Sequence, residues 1–297
     1  MSLLRKQTLR KLLEEEGLSA QKRLGQHFLI SKSVLEQILK AAQLTKQDFV
    51  VEVGAGLGNL TLPLAQQAGA VLAIEKDPRV LAVLQELAES FPNIEVVAAD
   101  VLSLPKSFFA EKALAWQEFR SRHPAQSRLH PAYKIVANLP YYITSTVLRL
   151  FLENRERPNL MVVMVQKEVA DKIIAHPPDM SLLSVSVQLF GLPKIIKQVS
   201  KEAFFPKPKV DSAILSIRTY EKWPWAIDDT KSFFKLVRIG FHAKRKQIAT
   251  NLREGLSLSR EEVEKTLSRT HIEPQDRAET LSMKSWEELF LAFRKKL

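Results

Sequence analysis

Asn138-Leu139-Pro140-Tyr141 follows a short apolar run, Lys134–Ala137, and combines residue types suited to one difficult reaction. An aromatic exocyclic amine is a poor nucleophile because its lone pair is delocalised into the ring. Two acceptors aimed at its hydrogens favour a pyramidal nitrogen with a localised lone pair. The Asn138 side-chain oxygen offers one acceptor, and the Leu139 carbonyl, exposed by the fixed turn at Pro140, offers the other. Tyr141 supplies a ring face on which a base can stack. Such chemistry rests on positioning and electrostatics rather than on a strong general base. The same residues also fit a plain strand-to-turn junction with Tyr141 and Tyr142 in a core, so their meaning depends on the surrounding elements.

A second constellation lies upstream. The run Phe49–Val53 enters Gly54-Ala55-Gly56-Leu57-Gly58-Asn59, a glycine loop of the kind that lets backbone approach a ligand closely. The spacing is Gly-x-Gly-x-Gly, with Asn59 where the dinucleotide fingerprint requires glycine. Glu75 ends the next run, Val71–Ile74, and is placed to accept from ribose hydroxyls; Asp100 follows Ile94–Ala98 and is placed to accept from an adenine amino group. Gly54, Gly56, Glu75 and Asp100 at successive strand ends, with the wrong spacing for a nicotinamide dinucleotide, point to S-adenosylmethionine.

These residues need a scaffold that aligns strand ends. Five short apolar runs, Phe49–Val53, Val71–Ile74, Ile94–Ala98, Lys134–Ala137 and Leu160–Val165, alternate with helical patterns at Asn59–Ala68, Arg79–Ser90 and Ser145–Glu153. Strands buried on both faces and joined by helices predict an α/β parallel sheet. Ser31 or Ser33 is a candidate cap for a helix reaching Leu44. Leu182–Phe190 and Ser212–Arg218 are expected to add an antiparallel hairpin at the sheet edge, and Leu104–Pro131 a partly helical surface excursion. After Thr219 the pattern is helical only. The expected organisation is a basic arm over 1–30, an α/β Rossmann-like domain over 31–219, and a small all-α C-terminal domain over 220–297.

With no cysteine, disulfides, thiolate nucleophiles and Cys-based zinc sites are excluded, and six scattered histidines offer no metal cluster. No apolar run suits a membrane span, and Met1–Arg10 lacks the core of a secretory signal, so a cytoplasmic protein is expected. A net charge of +11 suits a polyanionic partner. Basic residues concentrate in two places. Lys231–Arg253 contains no acid and includes Arg238, Lys244, Arg245 and Lys246. Lys207 and Lys209 belong to a cluster around Phe204 whose only acid is Glu202. Contact with RNA phosphates is the expected use, for positioning rather than sequence choice.

With these motifs in place, the chain resembles the ribosomal RNA adenine dimethyltransferase family, in particular its bacterial small-subunit branch, the kasugamycin-resistance methyltransferases. The resemblance spans about 20–285 and rests on Arg23-Leu24-Gly25-Gln26-His27-Phe28-Leu29, the glycine loop, Asn138–Ser145, Val165–Ala170, Ala203–Ser212 and Arg277–Ser282. It implies dimethylation of N6 on two adjacent adenines in the 3′-terminal hairpin loop of 16S ribosomal RNA, in the small subunit, by a monomer. It further implies cofactor contacts from His27, Leu29, Gly54, Glu75, Asp100 and Asn138, with Phe204 on the far face of the base from Tyr141. The chain departs from the family at His27, usually Asn, at Ala55, often Pro, at Met180-Ser181-Leu182-Leu183-Ser184, usually Tyr-Gly-Arg-Leu-Ser, and in the length of 104–133. Two other readings share parts of the pattern. A 23S adenine methyltransferase of the macrolide-resistance type would share the loop and tetrapeptide but not Arg277–Ser282. A non-catalytic RNA-binding assembly factor would not need Glu75, Asp100 and Asn138 intact.

Overall fold

A computed structural model describes residues 26–120 and 132–297. Most of the basic arm expected over 1–30, and the end of the excursion before Pro131, lie outside the described residues. Contacts divide the chain into two compact units. One comprises residues up to Ala170 together with Pro193–Thr219, the other Asp171–Leu192 together with Tyr220–Leu297.

The first unit is built on strands too apolar to face water. β2 (Phe49–Val53) is buried at every position, and β3 (Ala70–Glu75), β5 (Lys134–Asn138) and β6 (Leu160–Gln166) nearly so. With β4 (Ile94–Ala98), β7 (Gly191–Val199) and β9 (Ser212–Thr219) they form one sheet in the order β4-β3-β2-β5-β6-β9-β7. Strands β2 to β6 pair in parallel, while β9 runs antiparallel to β6, from Leu160↔Arg218 to Gln166↔Ser212. The chain therefore leaves β2 toward β3 on one side and reaches β5 on the other. Such a reversal opens a crevice at the carboxyl ends of the strands.

Helices cover the sheet: α1 (Lys32–Ala42), α2 (Thr61–Gln67), α3 (Pro78–Ala88), α4 (Phe108–Arg120) and α5 (Thr144–Leu152). Ser31 caps α1 by accepting from the Val34 amide, and Val34, Leu35, Ile38 and Ala42 form its buried stripe. A two-stranded ribbon of β1 (Phe28–Leu29) and β8 (Phe204–Phe205) pairs Phe28 with Phe205 and Leu29 with Phe204.

The expected hairpin is corrected at one of its strands. Leu182–Gln188 is helical (α7, following α6 at Lys167–Ile174), and the strand beside β9 is instead β7. The local reason is a capping box. The Ser184 amide donates to Ser181 Oγ at 3.1 Å, and the Ser181 amide donates to Ser184 Oγ at 2.6 Å. Period-2 alternation over so short a run cannot compete with a formed helix start.

The second unit adds α8 (Thr230–Gly240), α9 (Ile248–Leu256), α10 (Arg260–Arg269) and α11 (Met283–Phe293) to α7. Phe233, Leu236, Leu252, Leu267, Trp286 and Phe290 are fully buried in it. The sequence division at 219/220 places 171–192 with the sheet; contacts place it with these helices. Backbone bonds from Met180 to Glu279 and from Tyr220 to Phe190, and the Trp225 indole on the Leu189 carbonyl, tie that segment in.

Candidate active site at the strand ends

Three backbone amides hold one carboxylate. Glu75 ends β3 and is 7% exposed. Its Oε2 accepts from the Gly56 amide at 2.9 Å, and its Oε1 from the Lys76 and Asp77 amides at 2.8 Å each. A carboxylate offers about four acceptor positions, so one remains open on a side chain that lines the cleft. The glycines make this arrangement possible. Gly54 and Gly56 have φ of 72° and 57°, and a Cβ on Gly54 would sit 3.4 Å from Pro140 Cδ. A side chain on Gly54 would therefore pack on the proline turn.

Asp100 follows β4 and accepts from the Leu102 amide at 3.0 Å through Oδ1. Its Oδ2 lies 3.4 Å from Lys76 Nζ, which also sits 5.6 Å from the centre of the Tyr142 ring. The Tyr142 hydroxyl, with Asp100 beside it, holds the Lys76 ammonium above its ordinary range. Sequence reasoning missed Lys76. Its only signal was adjacency to Glu75.

Asn138 ends β5. Its Nδ2 donates to the His27 carbonyl at 2.9 Å, which leaves Oδ1 as the free end of the amide. Leu139 is buried, and its amide donates to the Met164 carbonyl at 3.3 Å. Among the described residues nothing donates to the Leu139 carbonyl or to Asn138 Oδ1. Two unfilled acceptors therefore stand on consecutive residues. Pro140 (φ −56°, ψ 129°) turns the chain into Tyr141, whose hydroxyl is 2.7 Å from Ser212 Oγ. Burial raises the Tyr141 phenol pKa, so it remains protonated.

His27 packs its ring on Tyr141, with centroids 5.7 Å apart and planes 27° from parallel. Its Nδ1 is 2.7 Å from the Pro206 carbonyl. A carbonyl only accepts, so Nδ1 carries a proton there. Leu29 lines the same cleft, and its carbonyl accepts from Asn59 Nδ2 at 2.8 Å.

The structure thus brings His27, Leu29, Gly54, Gly56, Glu75, Asp100 and Asn138–Tyr141 around one cleft. It does not bring Phe204, expected as a second wall for the base. Phe204 is 3% exposed and packs with Leu29, Val34, Leu35 and Ile38. Pairing with Leu29 in the ribbon turns its side chain into this core. Glu52 is a further residue that sequence reasoning missed. It lines the cleft floor, is 2% exposed, and its Oε2 has no hydrogen-bond partner among the described residues. Burial pushes its pKa up to about 8, so the acid is largely neutral at pH 7.

The basic residues fall in both units and each is exposed. Lys207 and Lys209 lie in the first, where Lys207 pairs with Glu202. In the second, Arg238 occupies the last turn of α8, and Lys244, Arg245 and Lys246 lie in the turn before α9, not on one helix face. Lys246 is paired with Glu254 at 2.8 Å.

Comparison with known proteins gives a consistent result. The family model described as ribosomal RNA adenine dimethylase matches residues 17–295. The chain is 42% identical over 284 residues to the ribosomal RNA small subunit methyltransferase A of Dehalococcoides mccartyi, covering 96% of this chain and 92% of that protein. Among solved structures it is similar to the 23S rRNA methyltransferase ErmE (TM-score 0.68, 25% identity, 90% of this chain and 99% of that one). It shares its fold with a dimethyladenosine transferase from Plasmodium falciparum (TM-score 0.70, 24% identity, 91% and 98%).

Proposed function

The chain belongs to the ribosomal RNA adenine dimethylase family, and from that premise we propose that it dimethylates N6 of two adjacent adenines in the 3′-terminal hairpin loop of 16S ribosomal RNA, within the small subunit. Enzymes of the family take their methyl group from S-adenosylmethionine. The residues present fit that donor. Glu75 keeps an open acceptor position for ribose, Asp100 stands one strand further for the adenine amine, and the glycine loop leaves its backbone bare. Bound there, the cofactor would supply an electrophilic methyl group on a sulfonium.

The observation that carries the reading is the pair of unfilled acceptors, Asn138 Oδ1 and the Leu139 carbonyl. In the first transfer each takes one hydrogen of the target amine and so localises its lone pair; the monomethylated amine has one hydrogen left and engages one acceptor in the second. The Tyr141 face holds the unstacked base, and its phenol anchors on Ser212. Lys207, Lys209, Arg238, Lys244, Arg245 and Lys246 supply phosphate contacts that place the RNA. Among the described residues no helix is long and apolar enough to cross a membrane. On this proposal it acts in the cytoplasm, as a monomer, on the assembling subunit.

The likeness to ErmE supports a second reading, methylation of 23S RNA, although the 42% identity to a small-subunit enzyme favours 16S. The test offers radiolabelled S-adenosylmethionine with unmethylated small subunits or with large-subunit RNA, followed by mass spectrometry of the nucleosides. Dimethyladenosine in small-subunit RNA is expected. Label confined to large-subunit RNA overturns the substrate assignment, and transfer to neither favours a binding factor.

A further inference from the structure

We infer that the His27 ring is a positioning residue for catalysis, setting the plane of the Tyr141 ring on which the target base stacks. The inference rests on the proposed stacking of adenine on Tyr141, and its evidence is geometric. The Tyr141 hydroxyl is anchored at 2.7 Å on Ser212 Oγ, but the phenol oxygen itself lies on the ring's own rotation axis. An axial anchor fixes where the tip is and leaves the plane of the ring free to turn. A contact on the ring face restrains the plane directly. His27 makes that contact, at 5.7 Å between centroids and 27° between planes.

His27 is itself fixed at two points. Nδ1–H donates to the Pro206 carbonyl at 2.7 Å, which orients the imidazole. The backbone carbonyl of the same residue accepts Asn138 Nδ2 at 2.9 Å, which orients the acceptor amide. One residue therefore references both the wall that holds the base and the oxygen that holds its amine. Misorientation of either by a small angle separates the nitrogen lone pair from the methyl group, and such misplacements cost rate rather than affinity. The asparagine that the family usually carries here retains polar groups but has no ring to offer Tyr141.

The experiment compares His27→Phe, His27→Ala and His27→Asn. Phe keeps the ring face without the Nδ1 donor; Ala and Asn lose the face. Two measurements are made alongside melting curves. The first is ring proton NMR of enzyme labelled on tyrosine, without RNA. Tyr141 signals are expected at ring-current-shifted positions in the wild type and in His27→Phe, and at unshifted positions in His27→Ala. The second is turnover: kcat is expected to fall about tenfold in Ala and Asn and about threefold or less in Phe, with KM for the cofactor within about twofold throughout. Tyr141 signals unchanged in His27→Ala overturn the inference whatever the RNA substrate proves to be. So do a cofactor KM effect without loss of kcat, which makes His27 a cofactor contact, and a faster His27→Ala enzyme, which makes the ring an obstruction. Failure of the substrate assignment shows separately, as wild-type enzyme that does not methylate small-subunit RNA.

Discussion

The side-chain amide of Asn138 donates to the backbone carbonyl of His27 at 2.9 Å, so the amide has one end tied and one end free. The free oxygen belongs to the residue that precedes the unfilled Leu139 carbonyl. Asn138→Ala removes one of the two acceptors that localise the amine lone pair. We expect kcat to fall about 100-fold, in the range found for loss of one preorganised polar group. RNA affinity should be nearly unchanged, measured by filter binding beside single-turnover methylation. Asn138→Asp keeps an acceptor oxygen but cannot donate to the His27 carbonyl, so kcat should fall by less than in Asn138→Ala.

Gly54→Ala places a methyl group between the glycine loop and Pro140. At φ of 72° an alanine is strained by about 1–2 kcal/mol. Its Cβ would stand 3.4 Å from Pro140 Cδ, an ordinary contact, so the fold should survive. Turnover is expected to fall as well, since strain at Gly54 is carried to the Gly56 amide that holds Glu75. Melting curves and kcat measured together would show both losses.

Glu75→Gln replaces one acceptor oxygen by an NH2 group facing backbone amides. At least one of the three N–H bonds to Glu75 is lost, at a cost of about 1–3 kcal/mol. Calorimetry should show cofactor affinity reduced by about 10-fold or more.

Glu52 predicts a pH dependence of stability. Its folded pKa is raised to about 8 from 4.5 by burial. The folded state then holds a proton that the unfolded state has lost throughout that window. Stability attached to Glu52 is therefore complete below about pH 4.5, falls as pH rises by roughly 1 kcal/mol per unit, and levels off above about 8. Glu52→Gln keeps the shape and removes the proton exchange. Denaturant titrations from pH 5 to 9 should show the variant gaining on the wild type until about pH 8 and then running parallel to it.

The basic residues separate by their existing partners. Arg245→Ala should weaken RNA binding uniformly across sequences and reduce the salt slope by about one. Lys246→Ala should do less, since Glu254 at 2.8 Å already balances that ammonium. Phe204→Ala is a contrast in the other direction. Its buried ring predicts a stability loss of about 3–5 kcal/mol rather than a purely kinetic defect.

Much of the site was legible because it is written in backbone. Residues that follow apolar runs lie at strand ends wherever the runs form a parallel sheet, and register then sets Val53 beside Ile74 and Glu75 beside Ala98. Glycine spacing and the turn at Pro140 are likewise local. The strand expected over Leu182–Phe190 was misread because its alternation is short, and the Ser181–Ser184 cap decides the matter locally.

What the amino-acid order determined, then, was the set of chemical groups and the layer that aligns them. Strand burial and turn geometry depend on neighbours in the chain, and they survive translation into a periodic pattern. What only the tertiary structure decided was which way particular side chains face. Phe204 turns inward because β8 pairs with β1, a partner far away in sequence. Glu52 loses its charge because the surrounding fold removes it from water. His27 meets Tyr141, Asn138 and Pro206 only after three distant segments converge. Orientation and desolvation are properties of the packed ensemble of neighbours, and no local pattern encodes them.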